Sequence, residues 1–166
     1  SIPFTLEMEA PLPEVASIVI ENTSRAIIRN FWFHREDMPN FYSAATLVES
    51  VTKGLTSDTE KVMALYSLFP RYYYNFYPAH DSGLLNDPPT VFAVFGTAQC
   101  NNAVKALETL CQMAGCETRT LGISYRKGKG AIAHVVMEAA GDNGWVYLDP
   151  DGHSVYRRKD GEYASA

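Results

Sequence analysis

The hydrophobic period of this chain changes at Gly115, and no other feature constrains its fold as strongly. Before that point, Ala103, Val104, Leu107, Leu110, Cys111 and Ala114 recur at spacings of three and four, while Asn101, Lys105, Glu108, Thr109 and Gln112 take the other side. That pattern is an amphipathic helix from about 98 to 114, stopped by Gly115. Beyond it the period is two. "ETRTLGISY" (117–125), "AIAHVVMEAA" (131–140) and "WVYLD" (145–149) read as strands. "RKGKG" (126–130) reads as a turn or short loop, "GDNG" (141–144) and "PDG" (150–152) as turns, and "HSVYR" (153–157) as a candidate last strand. Helices followed by closely linked strands give an α+β plan, with helices packed on an antiparallel β-sheet.

Upstream, "FYSAATLVESVTKG" (41–54) reads as a helix stopped by Gly54. Ser57 and Glu60 in "SDTE" form a capping box that opens a second helix, which Pro70 ends or kinks. "RYYYNFY" (71–77) reads as an aromatic helix end that either packs in the core or walls a ligand groove. "PAHDSGLLNDPPT" (78–90) reads as a loop. The first 13 residues, with three prolines, read as an extended lead-in, and 15–33 as two strands around the polar break "ENTS". The division expected is a β-rich appendage or linker over 1–40 and a domain over 41–166.

Charge and cysteine content exclude several function classes. A net charge of -5, with no basic run longer than a pair, argues against nucleic-acid and membrane-surface partners. No apolar run approaches the ~20 residues a membrane-spanning helix needs. The chain starts "SIPFTLEMEAPLP", with Ser rather than Met first and no basic, apolar leader, so it reads as a mature or excised piece whose localisation is unknown. Three cysteines are too few for a disulfide framework, and no Cys/His spacing completes a zinc motif. No metal or other cofactor is expected.

One constellation carries chemistry. Cys100 falls in the first turn of the helix and along its apolar stripe. A cap at Thr97 would make it the third helical residue, and a later start the first or second. A helix N-terminus favours thiolate over thiol, and its free amides can hold an oxyanion. His134 lies mid-strand. A two-residue loop centred on 141 and 142 pairs it with Asp149. A four-residue "GDNG" loop pairs it with Asp151 and makes Asp149 a diagonal neighbour on the same face, whereas a loop of odd length would break this parity. A His beside an Asp is half of a nucleophile-activating relay. Asp151 is therefore the alternative acid. Gln99 is a candidate oxyanion-site residue, and Trp145 and Tyr147, on the His134 face, are candidate groove residues. Each is explained as readily by packing or helix capping. His34, His80 and His153 read as surface or loop groups, Cys111 as core, and Cys116 as core or partly exposed.

At these residues the chain resembles the transglutaminase-like branch of the papain-like cysteine enzymes. The resemblance runs over about 96–152. It rests on Cys100 opening a helix, on Leu107, Leu110, Gly115 and Arg119, on His134 with Glu138 four residues on, and on Trp145, Leu148, Asp149 and Pro150. It implies a papain-like core with the nucleophile at a helix N-terminus and a Cys100, His134, Asp149 triad. It also implies cysteine-dependent acyl transfer or hydrolysis of a peptide or protein amide, as in a protease, amidase or deamidase. No calcium-loop pattern is present, so calcium-dependent cross-linking is not implied. The alternative is a catalytically inactive module of the same fold that binds a peptide or glycan within a larger parent chain.

Overall fold

A computed structural model describes residues 21–23, 27, 35, 37–76, 84–127 and 130–166, with backbone alone for 125–127 and 130–132. The chain divides into two units, 1–33 and 34–166. The second holds every element discussed below. The lead-in and the strands expected before residue 33, together with His34, Tyr77 and His80, lie outside the described residues.

Three helices come first. Helix α1 spans Ala44–Thr52; Ser43 caps it, its side chain accepting from the Thr46 amide while Thr46 returns the bond. Gly54 follows with a φ of 80°, the left-handed stop expected there. Helix α2 spans Asp58–Tyr66, and Ser57 Oγ accepts from the Glu60 amide. The second acceptor at this end comes from the sheet rather than from Glu60. Asp142 takes the Asp58 amide at 2.9 Å and the Ser57 hydroxyl. Those donors hold the Asp142 carboxyl below its ordinary range. Pro70 sits at the start of the next helix, α3 (Phe69–Tyr72), where a missing N–H costs nothing, so the chain breaks and restarts.

Strand β1 (Tyr74–Asn75) pairs in parallel with β2 (Thr97–Ala98). The segment expected to be a loop is partly helical. Leu84–Asn86 is a 3-10 turn, Pro88–Thr90 one α-turn (α4) capped by Asp87, and Val91–Phe95 a π-helical turn ended by left-handed Gly96. Prolines in a first turn have the φ a helix needs and no donor to leave unpaired, and this outweighs their reading as turn formers.

Helix α5 spans Cys100–Met113, and Gly115, with a φ of 87°, closes it. The sheet follows in the order β3-β4-β5-β6: Thr118–Lys127, Gly130–Gly141, Gly144–Asp149 and Ser154–Val155, every neighbour antiparallel. Arg126, Lys127 and Gly130, expected in a loop, belong to the β3–β4 ladder. The last strand is shorter than expected. Among the described residues no helix is long and apolar enough to cross a membrane.

The core lies between helices and sheet. Leu47, Val62, Leu65, Phe69, Leu107, Leu110 and Cys111 meet Met137, Ala139, Val146 and Leu148 from one side of β4 and β5. Strand alternation puts His134, Val136 and Glu138 on the other side. Because Leu107 is fully buried, Leu107→Ala is expected to lower unfolding free energy by about 2–5 kcal/mol. Lys105→Ala, on the exposed side of α5, should change it by less than about 0.5 kcal/mol in the same urea titration.

Candidate active site

The β4–β5 register sets the geometry. Gly141 pairs with Gly144 around a two-residue Asp142–Asn143 turn, and the ladder runs to Met137 opposite Leu148. Asp149 therefore aligns with Val136, and position 151 with His134. This is the second of the two registers open from the sequence, reached with a shorter loop, and Asp149 is the diagonal neighbour. The diagonal is bridged by side chains, since His134 Nε2 lies 2.8 Å from Asp149 Oδ2. The second Asp149 oxygen accepts the Gly152 amide at 2.8 Å. A Cβ at Gly152 would lie 2.6 Å from Asp149 Oδ2, so any larger residue there must displace that carboxylate. The Tyr66 hydroxyl reaches the Asp149 carbonyl at 3.5 Å.

Cys100 is the first residue of α5. Its predecessor Gln99, not Thr97, is the N-cap; the Gln99 backbone is extended and its side chain makes no capping bond. The first-turn amides are thus not closed off by their own cap residue. The Cys100 sulfur, a ring nitrogen of His134 and a carboxylate oxygen of Asp151 all lie within 4.8 Å of one another, each side chain partly exposed.

Two further residues at this site come from the "RYYYNFY" stretch, where the sequence singled out neither of them. Tyr73, almost fully buried, has its hydroxyl 2.6 Å from Asp151 Oδ1 and 3.0 Å from the Ala98 carbonyl, so its single proton serves two acceptors. Burial first, and the Asp151 carboxylate second, keep that phenol protonated well above its ordinary range. Asn75 Nδ2 donates to Asp151 Oδ2 at 2.8 Å. "RYYYNFY" is thus neither wholly core nor wholly wall. Tyr73 is buried and bonded to Asp151, while Tyr74 and Phe76 are exposed. Exposed His153 packs its ring edge-on to Tyr73 at 6.0 Å.

Trp145 and Tyr147 occupy the His134 face but are not brought to the thiol. Trp145 pairs with Ala140, six residues along β4 from His134, or roughly 20 Å of strand. Its ring is covered by the Arg119 guanidinium at 4.3 Å. Tyr147 pairs with Glu138 and packs against Tyr156 at 5.3 Å. Glu138 is fully buried. It is bonded to Arg119 and, at 2.6 Å, to the Ala166 amide. Arg119, Glu138 and Trp145 thus form a cluster away from Cys100. The other thiols are free and buried; burial pushes both Cys111 and Cys116 up.

Comparison with known proteins identifies the family and the fold. Residues 45–150 match the family model of the transglutaminase-like superfamily. A candidate protease from Parabacteroides distasonis is similar in structure, with a TM-score of 0.51, 19% identity and 69% of this chain covered. So is the periplasmic domain of TgpA from Pseudomonas aeruginosa, with a TM-score of 0.52, 16% identity and 64% of this chain covered. This chain spans 24% and 41% of those two structures, so the likeness is one of fold. No curated protein matches the sequence significantly.

Gly152→Ala should displace the Asp149 carboxylate and remove the hydrogen-bonded imidazole N–H signal of His134 from the NMR spectrum. Gly122→Ala, with open space at its Cβ, should leave that signal in place.

Proposed function

The chain belongs to the transglutaminase-like superfamily, and on that premise we propose that Cys100, His134 and Asp149 perform cysteine-dependent acyl transfer or hydrolysis on a peptide or protein amide. The observation that carries the reading is the meeting of the Cys100 sulfur with an imidazole that is also bonded to a carboxylate.

Each residue has a step. The Cys100 thiol gives its proton to the free nitrogen of His134, and the sulfur attacks the amide carbonyl. Asp149 keeps the imidazole oriented and stabilises the imidazolium. The oxyanion forms beside the first turn of α5, where amide donors and the helix dipole favour negative charge; the Gln99 side chain is free to join them. When the tetrahedral intermediate collapses, the C–N bond breaks and His134 protonates the leaving amine. A thioester on Cys100 remains. His134 then takes a proton from water, which attacks the thioester; the products are a carboxylic acid and the regenerated thiol. An amine in place of water gives a new amide.

Cys100→Ala is expected to abolish amide turnover while circular dichroism stays that of the wild type. Asp149→Asn should lower kcat by about three to four orders of magnitude. Full turnover in Cys100→Ala, measured by amine release from a casein or peptide-library digest, would refute the assignment. At pH 7 iodoacetamide should modify Cys100 before Cys111 or Cys116, since burial keeps those two thiols protonated and covered. Peptide mass mapping reads the order directly.

A further inference from the structure

Asp151 has no step in that chemistry, yet its carboxylate stands beside the thiol and the imidazole. A carboxylate next to a sulfur that must carry negative charge is unfavourable on electrostatic grounds. Its position is nonetheless enforced, with one oxygen held by the Tyr73 hydroxyl and the other by Asn75 Nδ2. A cation between the three groups would reverse the sign of that interaction.

We propose that Cys100, His134 and Asp151 form a Zn(II) site that reversibly silences the thiol. The donor set is one sulfur, one ring nitrogen and one carboxylate oxygen, a borderline-soft mixture that suits zinc and not calcium or magnesium, which take oxygen ligands. Zinc bonds of about 2.0–2.3 Å at tetrahedral angles separate such donors by about 3.4–3.6 Å. The three atoms lie within 4.8 Å of one another, so side-chain closure of roughly an ångström completes the site. The surrounding bonds are those a zinc centre uses. A ligating histidine donates its other N–H to a carboxylate, here Asp149 at 2.8 Å, and a ligating carboxylate is itself hydrogen-bonded, here by Tyr73 and Asn75. All three ligands are partly exposed, which gives the ion a way in and leaves the fourth position to water.

On binding, the thiol proton leaves to solvent, a Zn–S bond forms, and the imidazole lone pair and the Asp151 carboxylate complete the coordination. No electron is transferred. Thiolate and carboxylate together neutralise the ion. The same event occupies the sulfur that would attack and the nitrogen that would take the proton. Binding itself does not depend on the acyl-transfer reading; only its inhibitory consequence rests on that reading. The two aspartates therefore differ in role, Asp149 orienting the imidazole and Asp151 supplying a ligand.

The test is titration of the full chain with ZnCl2 against a chromophoric zinc indicator, followed by cobalt substitution. Expected are one ion per chain with micromolar or tighter affinity, and a thiolate-to-cobalt charge-transfer band. Cys100→Ser should abolish the band, and Asp151→Ala should weaken zinc binding at least tenfold. The isosteric Asp151→Asn, checked for folding by circular dichroism, should weaken it similarly. Unchanged affinity in Cys100→Ser or in folded Asp151→Asn would overturn the proposal, as would the absence of stoichiometric binding. Iodoacetamide labelling separates this from the enzymatic reading. Rapid labelling of Cys100 that zinc does not slow defeats the zinc site alone. Zinc protection without amide turnover defeats the acyl-transfer reading alone.

Discussion

The contact between His134 Nε2 and Asp149 Oδ2 is the interaction on which the rest of the site depends. It exists because two turns are tight. The Asp142–Asn143 turn sets β5 so that Asp149 stands one diagonal from His134. The turn after Pro150 then brings the Gly152 amide back onto the same carboxylate, fixing its plane. With one oxygen held by backbone, the other has a single direction left, and the imidazole lies along it. The side chain that must be oriented is thus oriented by main-chain geometry, which does not fluctuate as a pair of free side chains would.

A second anchoring scheme supports the first from a distance. Asp142, in the turn that sets the register, also caps α2, while its amide donates to Thr59 Oγ1 at 2.9 Å. A Cβ at Gly141 would fall 2.5 Å from that oxygen, so any other residue there must displace the Thr59 side chain. On the far part of the sheet, buried Glu138 is neutralised by Arg119, whose guanidinium also lies over Trp145. A fully buried carboxylate left unpaired would be strongly destabilising. That cluster accounts for three residues of the family pattern without assigning them any chemistry, and it ties β3, β4 and β5 together beside the core.

Periodicity made part of this legible in the sequence. The helix from Cys100 and the strands after Gly115 carry long, regular patterns, so their existence and order follow from spacing alone. Parity placed His134 and Asp149 on one face only for a loop of even length, and spacing alone chose neither the loop length nor the register. Tyr73 and Asn75 could not be found this way. They reach Asp151 through a two-residue parallel pairing of 74–75 with 97–98, too short to leave a pattern and formed between segments with no local signal. The segment from Leu84 to Thr90 misled for a related reason, since its prolines initiate a helical turn that looks like loop punctuation. Trp145 and Tyr147 show the limit of alternation, which gives the face of a strand and not the distance along it.

The account stands on a thiol at a helix start that takes up an acyl group with the help of a carboxylate-held imidazole. Its most direct test is intact-protein and peptide mass spectrometry after brief exposure to an activated acyl ester such as 4-nitrophenyl acetate at neutral pH. One acyl group should appear per chain, mapped to Cys100, removable by hydroxylamine as a thioester is, and absent when His134 is replaced by alanine in a folded protein. Acylation that falls on Cys111 or Cys116, or that proceeds equally well without His134, would contradict it.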